Sequence, residues 1–240
     1  MKYVITYAPD IEEILIEELK VFLFEEMRFS KIYPNFGNVR VSGIHPFAHF
    51  FDHQINGNQV PVDLFPSIIV VADNDIKVPQ VDVPAFSKDI KITASEIEDI
   101  VSNRNLYIIS DEDLAALQTL TENNQFVWSK GSGTVKRATI SIEVWCDNIK
   151  LKNRLYDLAE AFLSGPKRYE INEKYNIKIV EESISGEKSG NYNFDFGKIL
   201  YGGVIQFPVD YQINQYIVDE DIGTFDSVIH TVEEVHYAGT

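Results

Sequence analysis

Residues Lys2 to Tyr7 alternate polar and apolar side chains and predict a short strand. Asp10 then offers an N-cap with Glu13 three residues on, the spacing of a reciprocal capping box, so a helix is expected through Arg28. Ile11, Ile14, Leu15, Leu19, Phe22 and Leu23 recur along it at helical spacing, while Glu12, Glu13, Glu17, Glu18, Glu25 and Glu26 fill much of the rest as an acidic face. A turn at Phe36-Gly37-Asn38 leads to a short strand at Val39 to Val41, and Pro46 suits the first position of an aromatic helix ending near Gln54, before Asn56-Gly57-Asn58. Ser67 to Ala72 is a continuous β-branched run, the pattern of a strand buried on both faces. From Asp73 to Asp89, prolines and aspartates predict a surface excursion.

Ser95 with Glu98 forms a second capping-box spacing and opens a helix to about Asn103, followed by a short strand at Leu106 to Ile109. Ser110 caps a helix from Asp111 to about Glu122, and Gly131-Ser132-Gly133 is read as a hairpin turn. The clearest pattern follows. Thr134 to Cys146 alternates with a period of two, Asp147-Asn148 caps a helix from Ile149 to Ser164, and Gly165-Pro166 ends it. Strand patterns resume at Ile177, Ile179 and Ile184, and a long one covers Leu200 to Ile217, with Gly202-Gly203 marking a bulge or bend. Together these elements predict an α/β or α+β fold with a mixed, mainly antiparallel sheet flanked by helices. One domain over residues 1–240 is expected, with an insertion in the middle of the chain at about 73–130 that could form a subdomain.

Composition narrows the function classes. The net charge of −16 argues against bulk binding to duplex DNA or an anionic bilayer. No apolar run approaches the length of a membrane span, and the first residues lack the apolar core of a signal peptide. Cys146 is the single cysteine, so no disulfide framework exists within the chain and a reduced, intracellular setting is expected.

Candidate chemistry is sparse, and no catalytic residue or cofactor is assigned. His45, His49, Asp52 and His53 are the best metal candidates, because His49 and His53 would share a helix face, but no second group of ligands is spaced to join them. The other reading is a helix with Phe47, Phe50 and Phe51 buried and histidines at its rim. His230 and His236 could approach only in space. The acid runs at Asp73-Asn74-Asp75, Asp111-Glu112-Asp113 and Asp219-Glu220-Asp221 lack the spacing of a calcium loop and read as caps or solvated loops. Cys146 precedes a helix, where a thiol can be activated, but a buried structural role is preferred. The chain has 12 Tyr, 15 Phe and 2 Trp, and Trp145, Tyr192, Tyr201, Tyr211 and Tyr216 are candidates for a protein interface.

The string ATISIEVWCDNIKLKNRLYDLAEAFL, then KIVEESISG and KILYGGVIQFPVDYQI, spans Ala138 to about Val218. Its order of strand, helix, strand, strand resembles the module of phage tail-terminator and head-to-tail completion proteins, and Leu64 to Val70 is similar to an early core strand of that group. The resemblance implies a non-enzymatic ring, a hexamer of this chain, that caps the tail tube and joins it to the head connector in the virion neck after assembly in the host cytoplasm. DNA would pass through the lumen without specific binding, and an acidic lumen would repel its phosphates. A tail or baseplate adaptor, or a metal-dependent hydrolase using His45, His49 and His53, are the alternatives.

Overall fold

The computed structural model describes residues 2–34, 38–59, 64–77, 88–124, 126–193 and 199–219. It is an α/β structure with a mixed, mainly antiparallel sheet, and the described residues form seven α-helices and nine strands. They fall into two compact units, Met1–Pro9 with Lys77–Val135 and Gln212–Thr240, and Asp10–Ile76 with Lys136–Tyr211. Of the described residues in about 73–130, read from sequence as an insertion, most fall in the first unit with residues 2–9 and 212–219.

The first unit holds β1 (Lys2–Tyr7), β4 (Lys88–Thr93), α4 (Ala94–Ser102), β5 (Tyr107–Ile108) and α5 (Asp111–Asn124). β1 pairs antiparallel with β5 and with the end of β9 (Ile199–Asp219), while β4 pairs antiparallel with the start of β6 (Phe126–Cys146). Tyr3, Ile5, Ile92, Ile97, Ile100, Ile109, Leu114, Leu117 and Val218 make its core. The cap of α4 departs from expectation. Thr93 and Glu96 form the reciprocal capping box, two residues before the Ser95 and Glu98 pair, because the β4 strand runs into the helix without a loop. Ser110 does cap α5, accepting from the Asp113 N–H at 3.0 Å. Gly131-Ser132-Gly133 is not a hairpin turn. It lies inside the 21-residue strand β6, where Gly133 admits a close approach by Ile213 O, 3.3 Å from where a Cβ would stand.

The second unit is built on the strand order β2-β3-β6-β9, from β2 (Arg40–Ser42), β3 (Ser67–Lys77) and the remaining parts of β6 and β9. β2 and β3 run parallel, whereas β7 (Ile177–Ile179) and β8 (Ser185–Asn193) pair antiparallel with β9. As the β-branched run predicts, Ile68, Ile69 and Val70 are fully buried. β3 continues through Lys77, so Asp73 to Lys77 is strand where a surface excursion is expected, and residues 78–87 lie outside the described set. The expected bulge is present, but on the partner strand: β8 shifts register between Glu187 and Gly190, opposite Gly202 and Val204.

The helices of this unit are α1 (Ile11–Val21), α2 (Phe29–Ile32), α3 (Pro46–Asn56), α6 (Ile149–Ser164) and α7 (Pro166–Tyr175). Asp10 caps α1 by accepting from Glu13 N–H at 3.0 Å. The helix does not run regularly to Arg28. Phe22–Glu26 forms a wider π turn closed by Met27 N–H to Phe22 O at 2.8 Å, and Arg28 turns left-handed at φ 49. Nor do all its acids face water, since Glu18 is buried and Glu12 accepts from the Ala72 N–H at 3.3 Å. α7 is an addition to the sequence reading. Gly165-Pro166 ends α6 and at once starts a second helix, with Pro166 in the first turn where its missing N–H costs nothing.

Candidate functional site

Among the aromatic and ionisable groups singled out from sequence, the largest assembly surrounds α3. Pro46 starts the helix and His45 is its N-cap, with Nδ1 accepting from the Phe47 N–H at 3.2 Å. A ring nitrogen that accepts carries no proton, so the hydrogen sits on Nε2, which lies 3.2 Å from Glu143 Oε2. The same oxygen accepts from Trp145 Nε1 at 2.9 Å. The His45 bond is the main cause that holds the Glu143 carboxyl below its ordinary pKa, against the opposing effect of burial, and Trp145 adds to it. Ring packing completes the base: Phe47 meets Trp145 edge-on at 5.0 Å, and Phe50 stacks on Phe65 at 6.5 Å. Phe47 and Phe65 pack in turn on the Ile69, Trp145 and Leu200 cluster. One side of α3 is therefore tied to the sheet.

Its other side is not. Ala48, Phe51 and Ile55 are exposed, Phe51 by 62% and Ile55 by 79%, and at about 100° per residue the three fall within an arc of about 60°. Ile44, 56% exposed, precedes them at the foot of the helix. The expectation that Phe51 is buried with Phe47 and Phe50 is thus corrected: Phe47 and Phe50 turn inward by half, and Phe51 stands outward. Asp52 borders the stripe and is occupied locally, accepting from Asn56 and Asn58 at 2.7 Å each, which lowers its pKa. The helix runs to Asn56, two residues past the expected Gln54, and stops at Gly57 in the left-handed region with φ 71.

Two of the three histidines read as metal candidates are held in separate hydrogen bonds. His45 caps α3 and bonds Glu143, while His53 Nδ1 lies 2.5 Å from Asn58 O and donates to it. His49 Nε2 is buried and has no hydrogen-bond partner among the described residues. Among the described residues no three His, Cys, Asp or Glu side chains gather as a metal would need. His230, His236 and residues 220–221 lie outside the described set, and so do the side chains of Asn74, Asp75 and Asp219.

Among the interface candidates, Trp145 and Tyr211 are each 6% exposed, so they give their area to their own chain and leave little for a partner. Tyr201 and Tyr216 are half-buried. Tyr192 lies on β8 opposite Leu200, with its side chain outside the described set. The apolar face that is exposed, on α3, was legible as helical spacing but was assigned to the core, since spacing marks a stripe without saying what covers it.

Cys146 closes β6 with no exposure, and burial together with Asp147 pushes its thiol up to about 12. A thiol so placed is a poor nucleophile. Ellman's reagent at pH 8 is expected to leave native protein unmodified over an hour and to titrate one thiol per chain in denaturant. Fast labelling of the native form would show the strand end opening.

No protein-family model matches the chain, and no curated protein matches it.

Proposed function

We propose that this chain is a structural subunit that acts by assembling with copies of itself and with other virion proteins, as a tail-terminator or neck component, and not by catalysis. The observation that carries the reading is the apolar stripe of Ala48, Phe51 and Ile55 on a helix whose opposite side is tied down by Glu143, Trp145 and Phe65. Exposed apolar surface on a rigid base suits docking, because association then removes it from water without first ordering the helix. The resemblance over Ala138 to Val218 supplies the neck assignment. The net charge of −16 suits a ring whose lumen lets DNA slide by repelling phosphate. Tail tube and head connector proteins are the expected neighbours, and a baseplate adaptor is the nearest rival, separated by where the protein sits in assembled particles.

Native mass spectrometry and negative-stain imaging test the proposal. A closed ring of identical subunits, six on this reading, is expected. The double substitution Phe51→Asp with Ile55→Asp should leave a folded monomer, since both side chains are exposed and surface changes stay within about 0.5 kcal/mol. A wild-type chain that remains monomeric at high concentration, alone and with its virion neighbours, overturns the reading. Rings formed equally well by the double variant would remove the α3 face from it.

A further inference from the structure

The first unit contains a recess of about 150 Å³ lined by Ile5, Ile92, Glu96, Asp99, Ile100, Tyr107 and Tyr216. The three isoleucines are buried and form an apolar base, and the two tyrosines are half-buried. Glu96 and Asp99 are exposed and stand three apart on α4, hence on one face of it. Glu96 uses only Oε2 in the capping box, accepting from the N–H and hydroxyl of Thr93. Among the described residues no lysine or arginine pairs with either carboxylate. Their charge is nonetheless felt inside. The Tyr107 phenol is pushed up first by burial, then by Tyr216, Asp99 and Glu96, and that of Tyr216 by burial with a contribution from Glu96.

A small-molecule substrate site normally encloses about 300 to 1,000 Å³, so this recess suits one side chain and not a nucleotide or sugar. Apolar base, tyrosine walls and acidic rim together match a group with an alkyl stem and a cationic head, which lays its methylenes on the isoleucines and meets carboxylates and ring faces at its tip. The same unit already holds one cation on aromatic faces: Lys91 Nζ lies 4.6 Å from the Phe126 ring centroid and 4.8 Å from that of Trp128. We propose that the recess receives a lysine or arginine side chain of a partner polypeptide, with Glu96 and Asp99 holding the charge and Tyr107 and Tyr216 flanking the stem. This site stands independently of the neck assignment, since it rests on the first unit alone.

The test uses full-length protein with isoleucine methyl groups labelled for NMR and three capped probes: N-acetyl-lysine methylamide, N-acetyl-arginine methylamide and the neutral N-acetyl-norleucine methylamide. At low salt one or both cationic probes should shift the Ile5, Ile92 and Ile100 methyls saturably in the millimolar range, and norleucine should bind at least tenfold more weakly. Glu96→Gln with Asp99→Asn should weaken the cation tenfold or more, because glutamine keeps the capping box while the charge is gone. Asp99→Asn alone, on an exposed side chain, should weaken it severalfold and guards against a folding defect in the pair. Equal shifts with norleucine, no saturable shift with either cation, or undiminished binding by the folded charge variants would each overturn the proposal.

Discussion

Replacing Glu18 with alanine should lower the unfolding free energy by about 3 kcal/mol, because it breaks a buried ionic cluster from the inside. Glu18 stands within the buried apolar stripe of α1, seven residues on from Ile11, and meets α7 there. Its Oε1 accepts from Lys174 Nζ and Tyr175 Oη, each at 2.7 Å, and its Oε2 lies 2.9 Å from Lys167 Nζ. Lys167 is itself buried, at 9% exposure, and its second close partner is Glu26 Oε1 at 2.7 Å. The π turn makes that double grip possible. Eight residues of regular helix at about 100° each would leave Glu26 about 80° around the axis from Glu18. An i→i+5 turn rotates each residue by less and carries Glu26 back toward the same side. Removing Glu18 leaves Lys167 with Glu26, which keeps the loss at the lower end of the range for broken buried pairs.

The cluster also sets an acid limit. Burial alone would raise the Glu18 pKa, but hydrogen bonds from Lys174, Tyr175 and Lys167 outweigh it and hold the group at about 2, against an ordinary 4.5. A carboxylate with a depressed folded pKa stabilises the fold fully above its unfolded pKa and loses that contribution as pH falls through the folded one. The gap in unfolding free energy between wild type and Glu18→Gln should therefore be widest above about pH 5 and close toward pH 2. Urea unfolding of both proteins at pH 7, 5, 4, 3 and 2 measures it. A gap independent of pH would mean that Glu18 is not ionised in the fold.

Phe162→Ala should cost about 3 to 5 kcal/mol, the range for emptying a fully buried aromatic site. Phe162 has no exposure on α6, and its ring meets that of Phe22 in the π turn at 5.6 Å with the planes tilted by 54°. The ring thus couples the packing of α6 to the irregular end of α1. Phe162→Leu keeps much of the volume and loses the ring contact, so a loss near 1 to 1.5 kcal/mol is expected for it. Thermal and urea unfolding of both variants give the comparison, and an alanine variant within 1 kcal/mol of wild type would show that the site collapses around the void.

Much of the fold was legible where a single helix or strand carries its own start and stop. Asn148 accepts from Lys150 and Leu151 N–H groups and opens α6 at Ile149, and Gly57 closes α3, both as the residue types require. Errors came where local chemistry was permissive. Glycines at 131 and 133 allow a turn but do not demand one, and pairing with β4 through Gly131 extends the strand instead. Ser95 with Glu98 and Thr93 with Glu96 have the same spacing, and only the end of β4 selects between them. Of the carboxylates and tyrosines of the recess in the first unit, only Tyr216 stands out in the sequence, as an interface candidate. Ile5, Tyr107 and Tyr216 follow one another at intervals of more than 100 residues, and nothing local states that β1, β5 and β9 bring them together.

Periodicity, caps and breakers are short-range properties, so the chain's own order of residues was enough to specify its α/β class, most helix ends and the buried run at Ile68 to Val70. Which side of α3 meets water, what pairs with the glutamate carried inside the α1 stripe and which aromatics are spent on their own core depend on what packs opposite. That is a property of residues distant along the chain, where the free energy of burial and of paired charge is settled by neighbours.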